Sequence, residues 1–368
     1  MKPNSRRIWF PLLLGVVLTQ NALLSQTSKN EFAVIAYYDG NGLDLDRYRW
    51  DRISHVIYSF CHLQGQKLAV DSDANANAIR NLVALKEDYP KLKVLVALGG
   101  WGGCETCSRV FASRAGRRVF AESAARLMET YDLDGLDLDW EYPAIPGVPG
   151  HLYQDRDRPN FTLLVRALRE AMGPDRLITF AAGGHKLYFE KSIEWDAVMP
   201  VVDYVNLMSY DLVGGYHTVT GHHTPLYSNS RQELSADFGV NYLLDLGVPA
   251  RKIVLGAAFY GRTWAGVSPE NNGLYQTGTF KSFVPHHRFG LQLNPEDGFE
   301  FLRDSVSRAP YAYSAEKQEF ATFDDPESLR LKTVYAKEKG LGGIMFWQLT
   351  DDRDDGALLE AIANGLQD

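Results

Sequence analysis

The 368-residue chain has only three cysteines, Cys61, Cys104 and Cys107. A structural zinc site takes four ligands, usually from two closely spaced pairs, and no second pair accompanies Cys104-x-x-Cys107. No metal site is therefore expected. A redox Cys-x-x-Cys stays chemically open, but an exported chain favours a structural disulfide, and spacing leaves the choice of partners open. Positive charge is scarce: 38 Lys and Arg stand against 46 Asp and Glu, for a net charge of −8. No basic run resembles a phosphate-binding footprint, which argues against nucleic acid as a partner. Past residue 24 no apolar run reaches the roughly 20 residues that cross a bilayer. Internal repeats, low-complexity linkers and appended binding modules are absent too, and no pattern bears on oligomeric state.

Among the features present, the first residues read as an address. Lys2, Arg6 and Arg7 precede a largely apolar stretch, Ile8 to Leu24, which Pro11, Thr19, Gln20 and Asn21 interrupt; Ser25 and Thr27 follow. The polar breaks favour a cleaved export signal over a membrane anchor. The expectation is a signal peptide over residues 1–25 and a mature catalytic unit over 26–368, secreted to the extracellular space or periplasm. The chain is also rich in rings, with 7 Trp, 19 Tyr and 18 Phe. Most belong to a large core; any that are exposed in a cleft would suit flat sugar faces.

Eight short β-branched or apolar runs recur: Phe32–Tyr38, His55–Phe60, Lys93–Gly99, Gly135–Tyr142, Leu177–Ala182, Tyr204–Tyr210, Ile253–Tyr260 and Gly343–Leu349. Between them lie stretches with helical spacing, clearest at Ala74–Glu87, Ser108–Thr130, Phe161–Met172, Gln232–Leu246 and Glu327–Lys339. Strands alternating with helices imply parallel pairing, and eight such units predict an α/β fold, a closed (β/α)8 TIM barrel. From about Trp264 to Phe320 an insertion separates the seventh strand from its helix, with a helix-like patch at Gly298–Ser307. So long an excursion on a barrel's catalytic face is expected to wall a cleft.

The most informative stretch is Asp134-Gly-Leu-Asp-Leu-Asp-Trp-Glu-Tyr-Pro143. Side chains alternate along a strand, so Asp137, Asp139 and Glu141 share one face while Leu136, Leu138 and Trp140 share the other. The leucine face must pack against helices, and the acids then point into the barrel. No Lys or Arg alternates with them, so burial and repulsion must hold at least one proton on the trio. Glu141 lies nearest the strand's carboxyl end, where barrel enzymes keep their chemistry, and is the natural general acid. Asp139 and Glu141, with Cα atoms about 6.6 Å apart on one strand, approach substrate from the same side. Most glycosidases place one carboxyl on each face of the sugar. An acid with no opposing carboxylate points to a substrate that supplies its own nucleophile, and a 2-acetamido carbonyl oxygen can do this.

Asp134-x-x-Asp137-x-Asp139-x-Glu141 resembles the signature of glycoside hydrolase family 18, the chitinases, and the resemblance runs from the first strand to the last. It implies retaining, substrate-assisted cleavage of β-1,4-linked N-acetylglucosamine polymers, chitin or chito-oligosaccharides, without a cofactor. Val94-Leu-Val-Ala-Leu-Gly-Gly-Trp101 is similar to the family's third-strand motif, which places Gly100 and Trp101 at the cleft. Asn206-Leu-Met-Ser-Tyr-Asp211 is similar to its sixth-strand motif: Tyr210 would hold the acetamido oxygen, Asp211 the sugar, and Met208 the pocket wall. Tyr260-Gly-Arg262 resembles a motif that touches neighbouring sugars, and Gly343-Ile-Met-Phe-Trp347 one whose Trp347 floors the cleaved sugar. Tyr37 and Phe60 match aromatics beside the acids. Tyr37, Phe60 and Met208 also read as plain core, Arg262 as a partner for a surface acid, and Trp140 as structural. His222 and His223 lack ligand-spaced partners and read as loop packing. Two positions depart from relatives: Ala97, where some carry a Ser that holds the innermost Asp, and Gln348, where many carry Glu. An endo-β-N-acetylglucosaminidase acting on N-glycans or peptidoglycan would use the same acids. A non-catalytic lectin would be expected to lack Glu141.

Overall fold

The structure, a computed structural model, describes residues 31–368, so the expected leader lies outside the described residues. Strands β1 (Ala33–Tyr38), β2 (His55–Gln64), β3 (Lys67–Ala69), β4 (Lys93–Gly99), β5 (Gly135–Asp139), β6 (Leu177–Gly183), β7 (Tyr204–Met208) and β8 (Ile253–Ala258) come first. An excursion contributes β9 (Tyr260–Ala265), β10 (Thr279–Pro285), β11 (Phe299–Asp304), β12 (Ala309–Ser314) and β13 (Glu319–Phe323); β14 (Gly343–Trp347) follows. Eight of these pair in parallel in the order β1-β14-β8-β7-β6-β5-β4-β2, and β1 also pairs with β2. That last pairing closes the barrel. β3 is only a hairpin on β2.

Alternation divides the apolar residues between two cores. Outward positions such as Val94, Leu136, Leu138, Trp140 and Phe180 join the large cluster beneath the helices. Inward positions such as Tyr37, Ile57, Leu95, Ala97, Met208 and Met345 form a second cluster inside the barrel, partly covered by Phe60, Tyr142, Tyr210 and Trp347. Trp140 is structural, as its phase implies: its ring centroid lies 5.4 Å from Phe111 and 6.4 Å from Phe161.

Several helices differ in detail from their patterns. The Ser108–Thr130 stretch is two helices, Cys107–Phe111 and Arg114–Tyr131, because the Ser113 side chain accepts from Gly116 N–H and starts the second one. The Gln232–Leu246 stretch becomes helical only at Ala236, capped by Ser235 on Phe238 N–H. The excursion is wider than its glycines and prolines indicate, and it is a five-stranded antiparallel sheet, β10-β9-β13-β12-β11. Gly298–Ser307 is not helical. Phe299 to Asp304 pair residue by residue with Ser314 to Ala309, and cross-strand pairing overrides a helical spacing less than three turns long. The sheet holds a core on each face, Trp264, Tyr311, Tyr313 and Phe320 on one and Phe299, Ala312, Ala321 and Phe323 on the other. Cys104 and Cys107 form a disulfide, with Cα atoms 5.2 Å apart, and Cys61 is a buried free thiol. Among the described residues no helix is long and apolar enough to cross a membrane.

Candidate active site

The three acids converge as strand periodicity requires. Asp137 and Asp139 are buried on β5, and Glu141 follows two residues after the strand ends, partly open to solvent. The Glu141–Tyr142 peptide is cis, as are Ser59–Phe60 and Trp347–Gln348.

Each carboxyl has a different environment. Asp137 accepts from the Tyr37 hydroxyl at 3.0 Å, from Asn206 Nδ2 at 3.1 Å and from the Thr179 hydroxyl. Burial drives its pKa up to about 6, against the pull of those three donors. Ala97 lies beside Asp137 in the strand register and offers it no hydroxyl; Thr179, in register on the other side, does. Asp139 has no compensating donor. Its Oδ1 is buried without a hydrogen-bond partner, and burial, then the negative charge of Glu141, then that of Asp137 hold its proton tightly. Glu141 is pushed up as well, by burial first and also by the charge of Asp211, with Tyr142 pulling the other way. Two crowded carboxyls that both resist ionisation keep a proton between them near neutral pH.

Two strands further round the barrel, just past β7, the Tyr210 hydroxyl lies 3.8 Å from Met345 Sδ. Asp211 is gripped at both oxygens by Arg262, through Nε and Nη2. Burial works to raise the pKa of Asp211, but that grip, helped by His223 close to Oδ1, outweighs it and holds the carboxyl well below its ordinary range. Arg262 thus pairs with an acid, and that acid is Asp211 of the Asn206–Asp211 motif. Tyr260 is 2% exposed, lies 6.2 Å from Tyr210 and stacks on Phe283 at 4.6 Å. It supports Asp211 and Arg262 from below and offers no open face.

Aromatic rings line the remaining walls. Trp347 stacks on Phe60 with centroids 5.5 Å apart and planes 18° apart, and meets Tyr37 at 5.8 Å. Phe60 thus packs both on Trp347 and on the cluster inside the barrel. Met208 is nearly buried beside this group. Trp101 is 51% exposed, its ring 6.3 Å from Tyr142 and 6.3 Å from Tyr216, which is 75% exposed. Gly99 and Gly100 let the chain turn here: both have positive φ, and a Cβ on Gly100 would sit 2.5 Å from the Phe60 ring. Thr179, Tyr142, Tyr188 and Tyr216 were not singled out by motif. For Thr179 the phase of β6 holds the signal, since Leu177, Thr179 and Ala181 alternate inward toward Asp137. His222 is buried with Nε2 3.2 Å from Asp304 Oδ2, a tie between loop and excursion.

The sequence profile of glycosyl hydrolases family 18 matches residues 33–352. Chitinase A1 of Niallia circulans is 36% identical over 76% of this chain, which spans only 43% of that protein's length. Mouse chitotriosidase-1 is 32% identical over 82% of this chain and 67% of its own. A family 18 N-acetylglucosaminidase from Paenibacillus barengoltzii has a solved structure that superposes with a TM-score of 0.83, at 34% identity over 91% of this chain and 99% of that one. With a closed barrel, the three acids on and just past β5 and a profile match over most of the chain, the protein belongs to glycosyl hydrolases family 18.

Proposed function

We propose that the protein is a secreted chitinase, cleaving β-1,4-linked N-acetylglucosamine chains with retention and with the substrate's acetamido oxygen as nucleophile. The observation that carries this reading is the pairing of Asp139 with Glu141, while the next carboxylate at the mouth, Asp211, two strands further round, has both oxygens taken by Arg262. A sugar at the mouth rests on Trp347. With the proton that the pair shares placed on Glu141, Asp139 is ionised and accepts from the acetamido N–H, and Tyr210 donates to the acetamido oxygen. Glu141 protonates the glycosidic oxygen as the acetamido oxygen attacks the anomeric carbon and the C1–O bond breaks. The oxazolinium ion so formed is positive, and Asp139 balances it. Glu141, now ionised, takes a proton from water as that water attacks the same carbon, which gives a β-configured product.

Glu141→Gln is expected to bind a chito-hexamer and to lose about 10²- to 10⁴-fold in turnover. NMR of the first product should show the β anomer. An initial α anomer would sink the mechanism while leaving the family intact. The likeness to an N-acetylglucosaminidase favours a second reading, removal of single sugars from a chain end. The hexamer's product profile separates the two: monomer alone supports the second, dimers and trimers the first. Export rests on the leader-like residues 1–25, and the mature amino terminus should begin near residue 26.

A further inference from the structure

His223 belongs to no motif used so far. It is wholly buried, and neither ring nitrogen has a hydrogen-bond partner. Buried polar atoms are ordinarily paired, so the orphaned imidazole calls for an explanation. Its Nδ1 lies 3.6 Å from Asp211 Oδ1, too far for a hydrogen bond and close enough for one to form with a small shift. Its ring lies 5.2 Å from Tyr260. The backbone is fixed on both sides: His223 N–H donates to the Thr322 hydroxyl, and its carbonyl accepts from Leu212 N–H.

We propose that His223 is a positioning residue for Asp211: when neutral it leaves that carboxylate to the sugar, and when protonated it takes one of its oxygens, so that sugar binding weakens as pH falls. An ionised carboxylate accepts about four hydrogen bonds, of which Arg262 uses two. A protonated imidazole at Oδ1 adds a second cation to a group that must also accept from substrate. The charged groups around the ring oppose one another. Asp211 on the β7 side and Asp324 just beyond β13 favour the charged form, and Arg262 on β9 opposes it. Lys332 sits behind Asp324, paired to it at 2.7 Å. Burial is the largest influence and holds the ring below the ordinary histidine range, so His223 is neutral at neutral pH and gains its proton on the acid side.

The inference rests on the reading that Asp211 contacts the sugar, and its test can fail separately. In the parent, KM for a chito-hexamer should rise on the acid side while kcat changes less. In His223→Asn and His223→Gln, which keep a donor but do not titrate there, that limb should move down by roughly one pH unit or more. The alkaline limb should stay in place. NMR of labelled histidines should show His223 titrating with the midpoint of the parent's acid limb, and with a lower midpoint in Asp211→Asn. Superimposable acid limbs in parent and variants overturn the proposal, as does a His223 midpoint indifferent to Asp211→Asn. If the parent cleaves no chito-oligosaccharide the proposed activity falls, while the NMR titration still decides the role of His223.

Discussion

Asp139 is a buried carboxyl with an unpartnered oxygen and two acidic neighbours, an arrangement that disfavours its ionised form. A carboxyl whose folded pKa lies above its unfolded value of about 4 contributes stability fully below that value and loses it as pH rises through the folded pKa. Asp139→Asn should therefore melt at a higher temperature than the parent at pH about 8, with the gap closing near pH about 4, and should lose most turnover. An equal or lower melting temperature at the alkaline end would contradict the electrostatics. Glu141 must hold a proton to act, and burial with the charge of Asp211 raises its pKa. The alkaline limb of kcat/KM should fall well above the ordinary glutamate value of about 4.3; a midpoint below about 5 would remove Glu141 as the acid. These acids were legible in the sequence because a period of two admits one assignment of faces. Thr179 was not, since an isolated threonine carries no pattern until the register of β6 against β5 is known.

At the scale of the element, the Gly99–Gly100 turn joins β4 to the loop that carries Trp101. A methyl group on Gly100 would meet the Phe60 ring, which lies directly against Trp347. With a φ of 80°, Gly100 also occupies backbone space that costs other residues about 1–3 kcal/mol. Gly100→Ala is expected to lower stability by about that amount and to raise KM by displacing Phe60 and Trp347. Unchanged kinetics would mean that Phe60 has room to move. The barrel strands were readable because each is a short apolar run, and the runs overshot at the mouth: Glu141 and Tyr210 lie beyond the last residues of β5 and β7, and Tyr260 lies past β8 as the first residue of β9. The excursion was readable in place but not in form. Its strands pair antiparallel with partners as far apart as Gly261 and Phe323, and local spacing cannot reveal a partner.

Over the whole molecule, a buried ion pair ties the excursion to the barrel. Lys332 Nζ, on the helix Pro326–Glu338, meets Asp324 just past β13 and the Thr224 hydroxyl. Asp324 also accepts from Ala258 N–H at the end of β8, and Thr224 donates to the carbonyl of Ser209, beside Tyr210. Lys332→Met strands a buried carboxylate and should cost about 3–5 kcal/mol in denaturant unfolding, whereas the double change with Asp324→Asn should recover much of it. Additive losses would show that the two side chains act separately.

Barrel closure has a consequence for when the enzyme can first act. Ala33 pairs with Gly343, so the first barrel strand has no neighbour on that edge until the chain has been made as far as residue 343. Trp347 arrives on that same late strand. No fragment that stops short of β14 can have a closed wall around the acids or Trp347 beside them.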